Sequence, residues 1–376
     1  MKVLILSCNT GEGHNSSAKA LKKAFDSAGH YCEVQDTLAL VSEVLSRSVS
    51  DAYVFSTKGP AFELSYKFGS FVSDRLDLLK SPVYQANRLY AKRLYDYIYD
   101  NQFDAVICVH LFPAEALTAL RSKTKLRVPT YFVMTDYTCI PFLPETKLDH
   151  YIIPHEHLIE EYVEKGLPRE KLIPIGIPVD EAKFRTRIPR EEARRTMSEA
   201  FGWSLQGAEG HWYLIMSGSM GFGNLGELVD GLLKEIGQED RVVCVCGRNE
   251  KVYSSLRDEF GQEEQLWLLG FTDQVSQLMD ACDVIFTKPG GITTTETIVK
   301  QMPLIHTAPI PGLEDYNARF FHYHNLSYHT TDVAQQVRVA KRLCCDQAYR
   351  ERMLRAQQEN ANPYTSERVV ELVSGE

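Results

Sequence analysis

Twice along this chain a strand-length apolar run ends in glycines and gives way to a helical repeat. The first pass reads KVLILSC, NTGEGHNSS and AKALKKAFDSAG; the second, from His211, reads HWYLIMSG, SMGFGN and LGELVDGLLKEIG. Glycine allows the tight turn between strand and helix, and lets backbone come close to a ligand. The runs FDAVICVH and VPTYFVMTD in the first half, and RVVCVCG, LWLLGF, CDVIFTK and MPLIHTA in the second, are continuously apolar, as strands buried on both faces are. Alternation of such strands with helices predicts parallel sheets. The expectation is α/β with two doubly wound Rossmann-like domains facing each other across a cleft. A chain of 376 residues is also long for one core. The Pro- and charge-rich span from Ile173 to about Pro189 reads as the linker, giving domains over 1–172 and 173–354. Ligands of such sheets bind at the carboxyl ends of the strands, where both glycine loops fall.

Several classes are set aside by composition. A net charge of −9 lacks the basic footprint of a general nucleic-acid binder. There is no run of 18 apolar residues, so no membrane span is expected, and the first residues read as a strand, not a signal peptide. Nine cysteines, an odd number without framework spacing, point to a reducing cytoplasm. The pairs and triples His155/His157 and His322/His324/His329 read as surface or packing groups, not metal ligands. The chain has no Asp-x-Asp, the carboxylate pair with which one class of nucleotide-sugar transferase holds a divalent ion.

The junction TKPGGITTTETIV, Thr287 to Val299, carries the most chemistry. Free N–H groups at a helix start attract anions, and Ile292, Thr293 and Thr294 are placed to present them. Lys288 adds charge, and Glu296, one turn in, suits the two hydroxyls of a ribose. The competing interpretation is a capping box of Thr293 with Glu296. With SGSMGFGN and CGRNEK in the same half, a nucleoside diphosphate is favoured. GEGHNS followed by Asp36 imitates a dinucleotide fingerprint, but Ser16 and Ser17 stand where the third glycine belongs.

In order, TGEGHNSSAKAL, VMTDYTCIPF, GSMG, VCGRN, GFTDQVSQLMDACDVIFTKPGGITTTE and PIPGLEDYNARFF resemble glycosyltransferase family 28 over nearly the whole chain. The resemblance is nearest to the bacterial diacylglycerol glucosyltransferases and the monogalactosyldiacylglycerol synthases. It implies a GT-B fold whose last helix, about 355–376, packs back on the N-terminal domain. It implies a UDP-sugar, UDP-glucose or UDP-galactose, as co-substrate and no metal or other cofactor. Ser219, Met220 and Gly221, with Lys288, Gly290, Gly291, Ile292 and Thr293, would hold the diphosphate, and Glu296 the ribose. Phe271 and Thr272 would flank the uracil, Arg248 would belong to the same donor site, and Glu314 and Asn317 would contact the sugar, with Asp315 adjacent. Many relatives have glutamine where this chain has Leu313, which leaves glucose against galactose open. His14, after Gly13, would be the general base, with Asp136 orienting it or binding the acceptor. The acceptor implied is membrane diacylglycerol, and the product a β-glycoside.

The segment from Phe55 to Tyr99 interleaves aromatic and basic residues, a pattern that suits an anionic membrane surface. Phe62, Phe68 and Phe71 are the candidate contacts, whereas Tyr90–Tyr99 reads as a core-facing helix. Peripheral attachment to the inner face of the cell membrane is the expected location. Three other readings remain: an N-acetylglucosaminyltransferase of peptidoglycan synthesis, a UDP-sugar epimerase, and a UDP-sugar sensor without turnover.

Overall fold

The computed structural model describes residues 1–8, 12–40, 80–121, 126–216, 218 and 225–375. The chain divides into two compact units. Unit 1 comprises Met1–Glu181, Pro311–Tyr316 and Asn362–Glu376; unit 2 comprises Ala182–Ile310 and Asn317–Ala361.

Unit 1 holds a six-stranded parallel sheet made of β1 (Lys2–Ser7), β2 (Tyr31–Asp36), β3 (Ala105–Cys108), β4 (Thr130–Val133), β5 (His150–Ile153) and β6 (Leu172–Pro174). The order β2-β1-β3-β4-β5-β6 reverses direction between β1 and β3, so the chain's exits from those two strands lie side by side. Such a switch point is where doubly wound sheets bind ligands. Val3 and Ile5 pack with Ala18, Leu21 and Phe25 of the first helix, Glu12–Ser27. That helix closes at Gly29, whose φ of 81° is the left-handed stop the sequence signals. Ile173 and Pro174, at the start of the Pro-rich span, pair within β6.

The last helix, Thr365–Ser374, belongs to the same core, burying Val369, Val370 and Val373 against Leu21 and Phe25. Three buried valines contribute roughly 1.5–3 kcal/mol each before entropy. Its start is capped by Glu181, which accepts from the Ser366 N–H at 2.9 Å and the Ser366 hydroxyl at 3.0 Å. Gly176 lies beneath, at φ 127°, where a Cβ would stand 2.4 Å from Thr365 Oγ1. In the helix Ala91–Asp100, the core-facing residues are Ala91, Leu94 and Ile98, while Tyr99 is exposed.

Unit 2 holds a second six-stranded parallel sheet: β7 (Trp212–Met216), β8 (Arg241–Val245), β9 (Leu266–Leu269), β10 (Val284–Thr287), β11 (Leu304–His306) and β12 (Tyr328–His329). The order β12-β11-β10-β7-β8-β9 puts its switch point between β7 and β10. Tyr213, Ile215, Val242, Cys244, Val284 and Phe286 form one core with Leu228, Val229 and Leu232 of the helix Leu225–Leu233.

Candidate active site

Each unit presents chemistry at its own switch point. In unit 1, His14 is in the first turn of a helix that begins at Glu12, not in a free glycine loop. A helical backbone there aims the ring back toward the sheet. The end of β1 is tied to this turn by Ser7 Oγ donating to Asn15 Oδ1 at 2.8 Å. His14 Nδ1 lies 2.7 Å from the Val109 carbonyl oxygen, just past β3. A carbonyl only accepts, so Nδ1 carries the proton and Nε2 keeps its lone pair. Thr135 Oγ1 is 3.2 Å from the same nitrogen, and its own hydroxyl donates to Asp136 Oδ2 at 3.4 Å. Asp136 therefore reaches His14 through Thr135. Burial lowers the His14 pKa below the usual imidazole value, the Asp136 carboxylate opposing that shift. The ring is a neutral acceptor at neutral pH.

His110 is a member of this group that the sequence reading missed. It stands edge-on to His14 with ring centroids 4.8 Å apart, and its Nδ1 accepts from the Phe112 N–H at 3.2 Å. Burial, then the His14 ring, holds its pKa well below the ordinary value. The available signal was a polar residue ending the apolar run AVICV at a switch-point strand. Ser17, in the position of a dinucleotide fold's third glycine, is buried and donates to the Pro178 carbonyl at 2.8 Å.

In unit 2, β10 leads through Lys288, Pro289 and Gly290 into the helix Gly291–Lys300. Thr293 does not cap this helix. The N-cap is Gly290, with no side-chain cap, so the competing interpretation of a capping box between Thr293 and Glu296 does not hold. Thr294 N–H already closes on the Gly290 carbonyl at 3.2 Å. The N–H groups left pointing out of the helix start are thus those of Gly291, Ile292 and Thr293, one residue earlier than expected. The hydroxyls of Thr294, Thr295 and Thr297 are committed within the protein. Thr295 Oγ1 donates to the Gly291 carbonyl and Thr297 Oγ1 to that of Thr293, both at 2.7 Å, while Thr294 Oγ1 meets His306. Glu296 is partly buried one turn in.

Across the switch point, Gly218 follows β7 at φ 74°, and a Cβ there would lie 3.0 Å from Lys288 Cε. The lysine stem thus crosses the glycine. Arg248, exposed after β8, stacks its guanidinium 4.6 Å from the Phe271 ring, itself 62% exposed beyond β9. Thr272 Oγ1 accepts from the Gln274 N–H at 3.1 Å. Asn317, fully buried, donates from Nδ2 to the Pro289 carbonyl at 2.9 Å and so braces the Lys-Pro-Gly-Gly loop. Glu314 is buried, and Asp315 accepts from the Gly312 N–H at 2.7 Å. All three belong to the helix Leu313–Tyr323, of which Glu314 and Asp315 are counted with unit 1 and Asn317 with unit 2. Ser219, Met220, Gly221, Phe62, Phe68 and Phe71 lie outside the described residues. Among the described residues no group of three or more His, Cys, Asp or Glu side chains is placed to hold a metal ion, and no helix is long and apolar enough to cross a membrane.

Two family models match the chain in tandem: monogalactosyldiacylglycerol (MGDG) synthase over residues 14–179 and the glycosyltransferase family 28 C-terminal domain over residues 213–362. A processive diacylglycerol beta-glucosyltransferase of Bacillus pumilus is 30% identical over 323 residues, covering 85% of this chain and 80% of that one. The chain belongs to glycosyltransferase family 28. Solved structures agree on the fold of this family 28 member. MurG of Acinetobacter baumannii superposes with a TM-score of 0.67 at 14% identity, covering 100% of this chain and 99% of that one. UDP-GlcNAc 2-epimerase of Neisseria meningitidis, bound to UDP-GlcNAc, gives 0.64 at 15% identity and 100% of both chains. The fold is GT-B. His14 is the first residue of the first matched range, and the Gly291 helix start lies within the second.

Proposed function

We propose that this family 28 enzyme transfers glucose from UDP-glucose to the hydroxyl of membrane diacylglycerol, with inversion, forming a β-glucosyl lipid. The observation that carries the chemistry is the 2.7 Å contact of His14 Nδ1 with the Val109 carbonyl oxygen, which sets the tautomer. With Nδ1–H committed to Val109, Nε2 is free to take the acceptor's proton. The acceptor oxygen then bonds to the anomeric carbon as the bond from that carbon to the diphosphate oxygen breaks, and UDP leaves with the electron pair. The N–H groups of Gly291, Ile292 and Thr293, the helix dipole and Lys288 receive that developing charge. Together with the absence of Asp-x-Asp from the sequence, this supports turnover without a bound metal ion. In this reading Glu296 holds the ribose, Phe271, Thr272 and Arg248 the uracil, and Glu314 and Asp315 the sugar. Ser219, Met220 and Gly221 complete the phosphate site. Asn317 acts through the loop it braces.

The acceptor is read from the relatives named diacylglycerol beta-glucosyltransferases and from the synthase model over residues 14–179. The glucosyltransferase names of the relatives favour glucose, while the synthase model, whose name carries galactose, supports the acceptor alone. The site of action is the inner membrane face, with Phe62, Phe68 and Phe71 at the lipid. Replacing all three by serine is expected to abolish co-sedimentation with anionic vesicles; unchanged binding would rule the segment out as anchor.

The donor and stereochemistry are tested by incubating the protein and diacylglycerol with UDP-glucose or UDP-galactose and reading the product's anomeric proton by NMR. A β-glucoside from UDP-glucose is expected. An α-glycoside would reject inversion, and preferential use of UDP-galactose would reject the sugar assignment.

A narrower expectation concerns Gly218→Ala. A side chain at φ 74° costs about 1–2 kcal/mol, and its Cβ would also push the Lys288 stem aside. UDP affinity is expected to fall by about tenfold, measured calorimetrically. Affinity within a factor of about two of wild type would show that Lys288 does not act from this position.

A further inference from the structure

His306 is the last residue of β11 and is fully buried. Both of its ring nitrogens are engaged. Nε2 lies 3.1 Å from Thr294 Oγ1, and Nδ1 lies 3.0 Å from Ser327 Oγ. The Phe321 ring meets it edge-on at 5.5 Å, and the His306 carbonyl lies 3.3 Å from His329 Nδ1. In the sheet, His306 is the register partner of Thr287, the last residue of β10. One imidazole therefore joins the end of β11, the turn before β12 and the helix Gly291–Lys300.

Thr294 is the point where that connection matters. It is the first residue whose N–H closes the helical ladder, on Gly290. The N–H groups of Gly291, Ile292 and Thr293 come out of the same turn. Fastening the Thr294 hydroxyl to β11 fixes the rotation of the helix about its axis at that turn, and so the direction of the three N–H groups. Asn317 holds the loop from another side, through the Pro289 carbonyl. Charge is not what His306 supplies. Burial, then the nearby His329 and His322, brings its pKa down to about 3, so it is a neutral two-ended hydrogen-bonding strut. An anion site built from backbone N–H groups depends on such bracing, because its strength lies in donors held in place before the charge arrives.

We propose that His306 is a positioning residue for the phosphate-binding turn at Gly291–Thr293, acting through the Thr294 hydroxyl. The inference rests on the proposal that this turn receives a nucleoside diphosphate. It goes beyond that proposal in assigning a role to a residue that touches no substrate. A histidine that served only the core would affect every ligand of unit 2 alike. A strut for the phosphate turn affects only the part of the affinity that comes from phosphate.

The test compares the affinities of UDP and uridine by calorimetry for wild type, His306→Asn, His306→Gln and Thr294→Val. Asparagine keeps a polar atom near the Nδ1 position, toward Ser327. Glutamine keeps one near Nε2, toward Thr294. Thr294→Val removes the hydroxyl without changing shape and leaves His306 in place. The UDP-to-uridine affinity ratio is expected to fall by about tenfold in His306→Asn and Thr294→Val, with uridine affinity within about twofold of wild type. His306→Gln is expected to recover most of the ratio. An unchanged ratio in both His306→Asn and Thr294→Val would overturn the assignment, as would an equal loss of UDP and uridine. A wild-type protein that binds UDP no better than uridine would instead overturn the reading of the phosphate site, and the inference with it.

Discussion

Replacing His14 by alanine is expected to lower kcat by about 10²- to 10⁴-fold, the span that a positioned general base contributes. UDP affinity, measured separately, should stay within about twofold, because the helix start at Gly291 and the Phe271 stack lie in the other unit. The pH profile gives a second readout. The base works only when neutral, and burial lowers its pKa. Activity should therefore persist as pH falls through the ordinary imidazole range and be lost only below it. Thr135→Val leaves the Val109 contact in place but interrupts the link to Asp136. A milder kcat loss with an acidic limb moved further down is expected, since the opposing carboxylate would be less well coupled. Should His14→Ala keep more than about a tenth of wild-type kcat, His14 is not the base.

The largest effect on stability is expected at Asp283, a buried carboxylate just ahead of β10. Its Oδ2 accepts from Arg194 Nη2 and from the Trp212 N–H, each at 2.9 Å. Its Oδ1 pairs with Arg190 at 2.6 Å and lies 3.6 Å from His211 Nδ1 and 3.9 Å from Arg350. Burial alone would raise the carboxyl pKa; His211, Arg190, the Trp212 N–H and Arg194 overcome it and hold it below the usual range. The stabilisation is present above the unfolded carboxyl pKa and is lost as pH falls toward the folded one. Asp283→Ala strands these cations, Arg194 being the most buried of them, and should cost about 3–5 kcal/mol in urea unfolding. UDP affinity at low temperature should survive, since Asp283 is at the amino end of β10 and the phosphate turn follows its carboxyl end. A loss below about 1 kcal/mol would mean the cluster is a solvated surface network instead.

Much of this architecture is legible in the sequence because parallel strands covered on both faces must be apolar throughout. VLILS, AVIC, YLIM and VIFT are all fully buried strand residues. Of the glycines that mark the strand-to-helix junction after β7, the described Gly218 does take a positive φ. Patterns that two conformations share were less readable. Gly-x-Gly-His reads as a loop, yet the helix starts at Glu12 and takes His14 into its first turn. Thr-x-x-Glu at Thr293 matches a capping box, the competing interpretation, yet the Gly290 backbone starts the helix without one. His110 and His306 carry little local signal. Each is one histidine ending an apolar strand, and its meaning comes from partners brought by other elements: His14 for one, Thr294 and Ser327 for the other. Asn317 is similar, since its bond to the Pro289 carbonyl exists only once helix and loop have met.

The central claim is that a lipid hydroxyl accepts the sugar. It is tested most directly by measuring UDP release from UDP-glucose in EDTA, with and without diacylglycerol micelles. Release that requires diacylglycerol, continues in EDTA and disappears in His14→Ala is the predicted result. Release indifferent to the lipid, or conversion of the donor to an epimer with no acceptor present, would contradict it.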